Sequence, residues 1–356
     1  MIVSSEFDSL IKAGLSPVVL ALQQYYNGSN VVPTYSFRQG LGKKYSVDGT
    51  YKALGVDNGL IVADVIALDS PLPVKSRPAI SSASGEIPKI GTELPMNETE
   101  LKQLRLLKRA GGDLAQINSM LFSDVRRVYG GTLEQLEYQY LEGLSTGLIV
   151  RDTDNVGIGV RVDFGYDASN QFNASVVWGQ AGYTALGDII TALNNISNDG
   201  KSVVKIKLDR QALNQLLQSD DAKNFVAAGM GVSLAGAITL ARLNDYFSAE
   251  YGAVFELVDR SVTVEKNGVK KAIKPWASGR VVFECATQVG TLVWSTVEEM
   301  EAPVGGVNYS RAEDMILISQ YRLARPSLRQ FTGAQAVALT VIDKNVVYTL
   351  DTTAIA

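Results

Sequence analysis

The sequence contains no histidine. That absence removes the Ser-His-Asp and Cys-His nucleophile systems, the commonest general base and every metal site that needs imidazole. Cysteine is almost missing too. Cys285 is the only one in 356 residues, so an intramolecular disulfide and a Cys-rich zinc site are excluded. It sits in the apolar run Val281-Val282-Phe283-Glu284-Cys285-Ala286, where a small buried hydrophobe fits better than a reactive thiol. One cysteine suits a reducing compartment. An excess of positive charge is also lacking. Lys plus Arg number 33 and Asp plus Glu 37, for a net charge of -4, the reverse of a dedicated nucleic-acid binder. No long hydrophobic run appears. The stretch Pro17 to Leu22 is far too short to span a bilayer, and Glu6 and Asp8 stand where a signal peptide carries bases. Gly229-Met230-Gly231 is not completed to a dinucleotide fingerprint, because Leu234 occupies the third glycine's place.

What the chain has is length and an ordinary globular balance. Its size suggests about two domains, and 46% hydrophobic with 20% charged residues supplies a core. Residues 1–58 do not read as a compact domain. One or two helical turns are expected over Phe7 to Ala13, then turns at Asn27-Gly28-Ser29-Asn30, Asp48-Gly49 and Asn58-Gly59. Such a segment is expected to lie on something else, for instance a neighbouring copy. Residues 60–96 read as a two-stranded excursion. Strand-like Leu60 to Leu68 is followed by Pro71, Pro73 and Pro78, then by Ser81-Ser82-Ala83-Ser84-Gly85 and Glu86-Ile87-Pro88-Lys89-Ile90-Gly91. An isolated hairpin is marginal in water, so this one calls for a partner surface.

A helical zone follows. Asn97 is the predicted N-cap, with Glu98 and Glu100 in the first turn. Leu101, Leu104 and Leu107 share one face, and Lys102, Arg105 and Arg109 another. Gly111-Gly112 is expected to interrupt. Leu114, Ile117, Leu121, Val125 and Val128 then keep helical spacing to Gly130-Gly131. Thr132 with Gln135 reads as a capping box opening a third stretch, striped by Leu133, Leu136, Tyr140 and Leu144, and Gly143 and Gly147 mark its end. One long kinked helix and three helices in series both fit. From 148 to 178 the period is two, which predicts an antiparallel hairpin or meander including Phe172 to Val177. Residues 184–300 read as mixed: helices over 186–196, 210–217 and 221–228, strands over 202–208, 254–257, 261–265, 280–284 and 291–295, and a hairpin turn at Asn267-Gly268. The apolar run through Ala241 stays ambiguous. Strand-like text returns over 315–322 and 336–350.

Chemical motifs are sparse. Glu298, Glu299 and Glu301, and the pair Asp220-Asp221, read as solvated faces, although carboxylates can still pair in space. The stripe Lys102, Arg105, Lys108 and Arg109, and the group Arg38, Lys43 and Lys44, are solvated faces or contacts to a phosphate backbone or an acidic neighbour. The residues alone give an α+β protein with extended arms and little catalytic equipment.

Taken in order, several segments resemble the tailed-phage major capsid proteins of the lambda E type, which have the Hong Kong 97 capsid fold. The resemblance runs through Ile61 to Leu68, Val74-Lys75-Ser76-Arg77, Ile87-Pro88-Lys89-Ile90 and Glu142 to Ile149. It continues through Val162-Asp163-Phe164-Gly165, Trp178, Asp188-Ile189-Ile190, Lys274 to Val282, and Leu323-Ala324-Arg325-Pro326-Ser327 to Val341. Shared order across roughly residues 60 to 345 carries it. Residues 101–131 look longer and more interrupted than the family's approach to its long spine helix. The resemblance implies an N-terminal arm (1–58), an extended loop (59–97) and a peripheral domain with spine helix and hairpin (98–183). An axial domain (184–302) and C-terminal strands returning to the peripheral domain (303–356) complete it. It implies hexamers and pentamers of an icosahedral head enclosing double-stranded DNA, assembled in the bacterial cytoplasm and found in the virion. Partners would be the chain itself, portal, scaffold and decoration proteins, and weak non-specific contact with packaged DNA. No membrane, cofactor, metal or catalytic residue is implied, and the chain would not be an enzyme. The assembly residues would be those of the extended loop: Val74, Lys75, Arg77, Ile87, Lys89 and Ile90. Two alternatives remain. One is an encapsulin-like nanocompartment shell, which shares the fold; the other is a carboxylate-dependent hydrolase.

Overall fold

The computed structural model describes residues 2, 7–27, 34–56, 80–111, 113–151, 160–231, 238–266, 268–324 and 328–355. In chain order the elements begin with α1 (Asp8–Asn27), α2 (Phe37–Gly40), β1 (Leu41–Tyr45), β2 (Thr50–Val56), β3 (Ile80–Glu86) and β4 (Lys89–Met96). Next come α3 (Glu98–Arg109), α4 (Leu114–Thr146), β5 (Leu148–Arg151), β6 (Val160–Asp163), β7 (Gln171–Ala174), α5 (Ala185–Asn198) and β8 (Lys205–Leu208). They continue with α6 (Arg210–Gln218), α7 (Asp220–Met230), α8 (Leu240–Tyr251), β9 (Val254–Leu257), β10 (Val262–Lys266), β11 (Val269–Ile273), β12 (Arg280–Glu284) and β13 (Gly290–Ser295). The last are α9 (Glu298–Glu301), β14 (Asn308–Ala312), β15 (Ile316–Leu323), β16 (Arg329–Ile342) and β17 (Val347–Ile355). Two compact units share them. The first holds Met1–Tyr51, Gly85–Gln139 and Thr291–Thr340; the second holds Lys52–Ser84, Tyr140–Gly290 and Val341–Ala356. Helix α4 and strand β16 contribute residues to both.

The first unit is built on a six-stranded sheet of order β1-β13-β16-β15-β14, with β4 also pairing β16. The N-terminal segment corrects the sequence expectation. Instead of one or two turns, α1 runs for 20 residues and packs on its own chain, against β14. Phe7, Ile11, Leu15 and Val19 repeat every four residues and are all buried, each such burial giving about 1.5–3 kcal/mol. That gain outweighs Pro17 inside the helix, which removes one backbone hydrogen bond. Asn308 Nδ2 donates to Asp8 Oδ1 at 2.7 Å and fixes the first turn.

Helix α3 begins as expected. Asn97 accepts from the Glu100 N–H and the Glu100 side chain accepts from the Asn97 N–H, a reciprocal capping box. Leu101 and Leu104 are buried and Leu107 half-buried. The break at Gly111 is real, but the second expected break is not. Helix α4 continues through Gly130 and Gly131 for 33 residues. Gly130 serves close approach, since a Cβ there would lie 3.2 Å from the Tyr26 hydroxyl, whereas one on Gly131 would make ordinary contact with Thr92 Cγ2 at 3.5 Å. Thr132 is no cap either. It is buried, and its hydroxyl donates back to Val128 O at 3.1 Å. The helix stops at Gly147, whose φ of +72° and N–H bond to Gly143 O terminate it.

The second unit has a five-stranded sheet of order β7-β17-β12-β8-β9. Its core joins one sheet face to α5–α8 through Ile189, Ile206, Leu216, Phe247 and Phe283. β7 pairs in parallel with β17, so Phe172 to Val177 does not extend the β5–β6 hairpin as a meander. Helix α8 was not expected from the sequence. Leu243 and Phe247 are its only buried residues, too thin a stripe to reveal it by periodicity. Strand β13 pairs with β1 and β16 in the first unit's sheet. Among the described residues, three two-stranded sheets complete the set: β2–β3, β5–β6 and β10–β11.

Candidate assembly surface

Among the described residues, no group of three or more His, Cys, Asp or Glu side chains is placed to hold a metal ion. None of their helices is long and apolar enough to cross a membrane. Cys285 is partly buried, and burial pushes its thiol up to about 11, so it stays neutral at physiological pH.

Of the six residues assigned to the extended loop, Val74, Lys75 and Arg77 lie outside the described residues. The other three lie at its root. Ile87 is buried in the first unit at 7% exposure, and its N–H donates to Gly49 O at 2.9 Å. Lys89 and Ile90 start β4, in register with Val337 and Ala336 of β16. Lys89 Nζ lies 3.4 Å from Glu299 Oε1. The turn before β2 is firmly built. Asp48 accepts from the Ser46 hydroxyl at 2.8 Å and the Thr50 N–H at 3.2 Å, bonds that pull its carboxyl down to about 2. Tyr51 is buried against Gly85, where a Cβ would come within 2.9 Å of the ring. The ends of β2 and β3 that belong to the first unit are therefore held by hydrogen bonds and close packing.

Arg38 and Lys43, two of the three cations grouped by sequence, find their acidic neighbour in the same chain. Both reach Glu313, at the β14–β15 turn: Arg38 through Nη1 at 3.2 Å and a second bond from Nη2, Lys43 through Nζ at 3.3 Å. The Tyr129 hydroxyl donates to Glu313 Oε1 at 2.6 Å. Burial works to raise the Glu313 pKa, but Arg38, Tyr129 and Lys43 together bring it below the usual range. Glu313 and Asp314 both have positive φ, at 51° and 62°, a strained conformation for residues with side chains. Sequence reasoning did not single out Glu313, and no local signal marks it, since its partner Arg38 is 275 positions away.

The cationic stripe of α3 is solvent-facing: Lys102, Lys108 and Arg109 are exposed and Arg105 half-exposed, with Lys108 Nζ 5.2 Å from the Phe7 ring centroid. In the second unit, Lys207 and Glu284 form a buried ion pair at 2.8 Å, and Lys207 Nζ also donates to the Tyr140 hydroxyl at 3.3 Å.

No family model matches the chain, and no curated protein matches it. Solved structures do. A prophage protein from Escherichia coli CFT073, assigned as a capsid protein, aligns over 96% of this chain and 99% of its own, with a TM-score of 0.56 and 11% identity. A phage-related protein from Bordetella bronchiseptica RB50 aligns over 94% and 96%, with a TM-score of 0.53 and 11% identity. The fold is thus the α+β capsid fold of the Hong Kong 97 type.

Proposed function

We propose that the chain is the major capsid protein of a tailed phage, a structural subunit that assembles as hexamers and pentamers into an icosahedral head around double-stranded DNA. The observation that supports this reading is a likeness of fold to a prophage capsid-type chain along almost the whole length of both. On this reading residues 1–58 form the arm, 59–97 the extended loop, 98–183 with 303–356 the peripheral domain, and 184–302 the axial domain. The loop residues Val74, Lys75 and Arg77 reach a neighbouring subunit, while Ile87, Lys89 and Ile90 anchor the root from which the loop is delivered. Many modest interfaces then hold the particle by multivalency. Portal, scaffold and decoration proteins are further partners. The net charge of -4 keeps contact with packaged DNA weak, so packaging and ejection are not hindered. Assembly occurs in the host cytoplasm, the product is the virion shell, and catalysis plays no part.

Electron microscopy of purified particles, with nuclease-protected content measured alongside, tests the reading. Closed shells that protect double-stranded DNA are expected from virions. Shells filled with protein cargo would favour a nanocompartment, and the absence of any shell would overturn both.

A further inference from the structure

Helices α1 and α4 touch at two places and part between them. A Cβ on Gly14 would fall 2.7 Å from the Phe122 ring, and one on Gly130 3.2 Å from the Tyr26 hydroxyl. Between those crossings runs a groove with a hollow of about 250 Å³, lined by Val18, Ala21, Leu22, Tyr25 and Arg126. Arg126 is the only charged residue of that lining. Its guanidinium stands 5.3 Å from the Tyr25 ring centroid and has no carboxylate partner among the described residues. The next residue, Arg127, has one: Asp124, at 3.1 Å. Past Arg126 lies a wider hollow of about 410 Å³ with Ser123, Arg127 and Glu134 on its walls, where Glu134 accepts from the Tyr35 hydroxyl at 3.1 Å. The rim is uncharged as well. From Ala13 to Asn27 helix α1 carries no charged residue, yet Ala13, Pro17, Ala21 and Tyr25 are exposed. An exposed apolar face that runs into a recessed hollow marks an interaction site.

We propose that this groove docks an amphipathic helix of a separate polypeptide, with an aliphatic or aromatic side chain seated against Val18, Leu22 and Tyr25 and a neighbouring carboxylate on Arg126. Charge complementarity selects the occupant. A lone uncompensated guanidinium in an apolar wall calls for a carboxylate, and Arg receives one with paired hydrogen bonds. A hollow of 250 Å³ is below the size of a cofactor site and suits one or two side chains. An apolar helix face laid into a groove supplies them at helical spacing. A bilayer fits poorly, because it meets a protruding apolar face and this one is recessed between two helices. A second copy of this chain offers no such segment among the described residues. Helices α3, α7 and α8 turn their buried apolar residues into their own units, and the acidic α9 is four residues long. The groove lies wholly within the first unit, so its test needs no shell.

Fluorescence anisotropy on dissociated full-length subunits provides the test. The probes are two labelled synthetic amphipathic helices, each with leucine and phenylalanine on one face and either glutamate or lysine on the other. The glutamate helix is expected to bind at least about tenfold more tightly than the lysine helix. Arg126→Glu should reverse that preference. Ala21→Trp, at an exposed position, should fill the groove and abolish binding while leaving the urea midpoint unchanged. Equal binding of the two helices, or binding that neither variant alters, would overturn the proposal. So would subunits that ignore both helices but bind phosphatidylglycerol vesicles, which would make the groove a membrane site. Self-association abolished by Ala21→Trp would overturn it in favour of a second copy.

Discussion

Glu313 of the first unit and Glu284 of the second are both buried, and the two are treated in opposite ways. In the first unit Glu313, 2% exposed, receives Arg38, Lys43 and Tyr129. In the second, Glu284, also 2% exposed, has Lys207 as its ion-pair partner. Burial raises both pKa values. It is overcome at Glu313, which ends below the usual range, and prevails at Glu284, which ends above it despite Lys207. Equal burial with different donor sets gives opposite signs. The first arrangement welds a strained turn to α2, β1 and α4, so the positive φ at Glu313 and Asp314 is over-determined by charge-assisted bonds. The second is a buried pair that contributes little net stability but is costly to leave half-made.

The largest effect is expected for Arg38→Ala. It removes the bidentate partner of a buried carboxylate at a strained turn, leaving only Lys43 and Tyr129, and should cost about 3–5 kcal/mol in urea unfolding of dissociated subunits; a loss below about 1 kcal/mol would show that Arg38 does not hold the turn. Gly143→Ala comes next. Its Cβ would fall 2.8 Å from Phe164 Cε2 in the second unit, an overpacking that should cost about 1–3 kcal/mol. Lys207→Met should also cost about 1–3 kcal/mol, less than Arg38→Ala, because burial already raises the Glu284 pKa and so lowers the cost of protonating it once Lys207 is gone. The pH dependence of stability separates the two glutamates further. Glu313, with a lowered pKa, contributes stability above its unfolded pKa of about 4.3, lost as pH falls through the folded value. Glu284, with a raised pKa, works the other way: its contribution is present below about 4.3 and is lost as pH rises through the folded value. Glu313→Gln should flatten the acid limb of a stability-versus-pH curve, and Glu284→Gln should remove an opposing slope; slopes of the same sign would contradict the contrast. The smallest effect is a gain. At Gly131 an added Cβ makes ordinary contact with Thr92 at 3.5 Å, so Gly131→Ala should raise stability by about 0.5–1 kcal/mol through helix propensity.

Local chemistry was legible in the sequence where the partners lie within a few residues. The Asn97–Glu100 box, the break at Gly111 and the β10–β11 hairpin follow from neighbours in the chain. Gly130-Gly131 misled because glycine reads as a break, while the apolar spacing of Val125, Val128, Leu133 and Leu136 runs unbroken across it. Helix α1 extends well past the Phe7 to Ala13 stretch, and Ile11, Leu15 and Val19 already spell its stripe. Of the candidate assembly residues, Ile87 sits in the core of its own unit. A buried strand residue and an interface residue have the same composition, so sequence could not separate them. The Arg38–Glu313 cluster spans 275 positions and becomes visible only once β14 and β15 are placed.

The central claim is a shell subunit that works through contacts between copies. A cryo-electron-microscopy reconstruction of the purified particle tests it most directly. Closed icosahedral shells built of fivefold and sixfold rings, with the β2–β3 excursion of each subunit lying on its neighbour, are the predicted result. Monomers or small open oligomers under conditions where the chain is folded would contradict it.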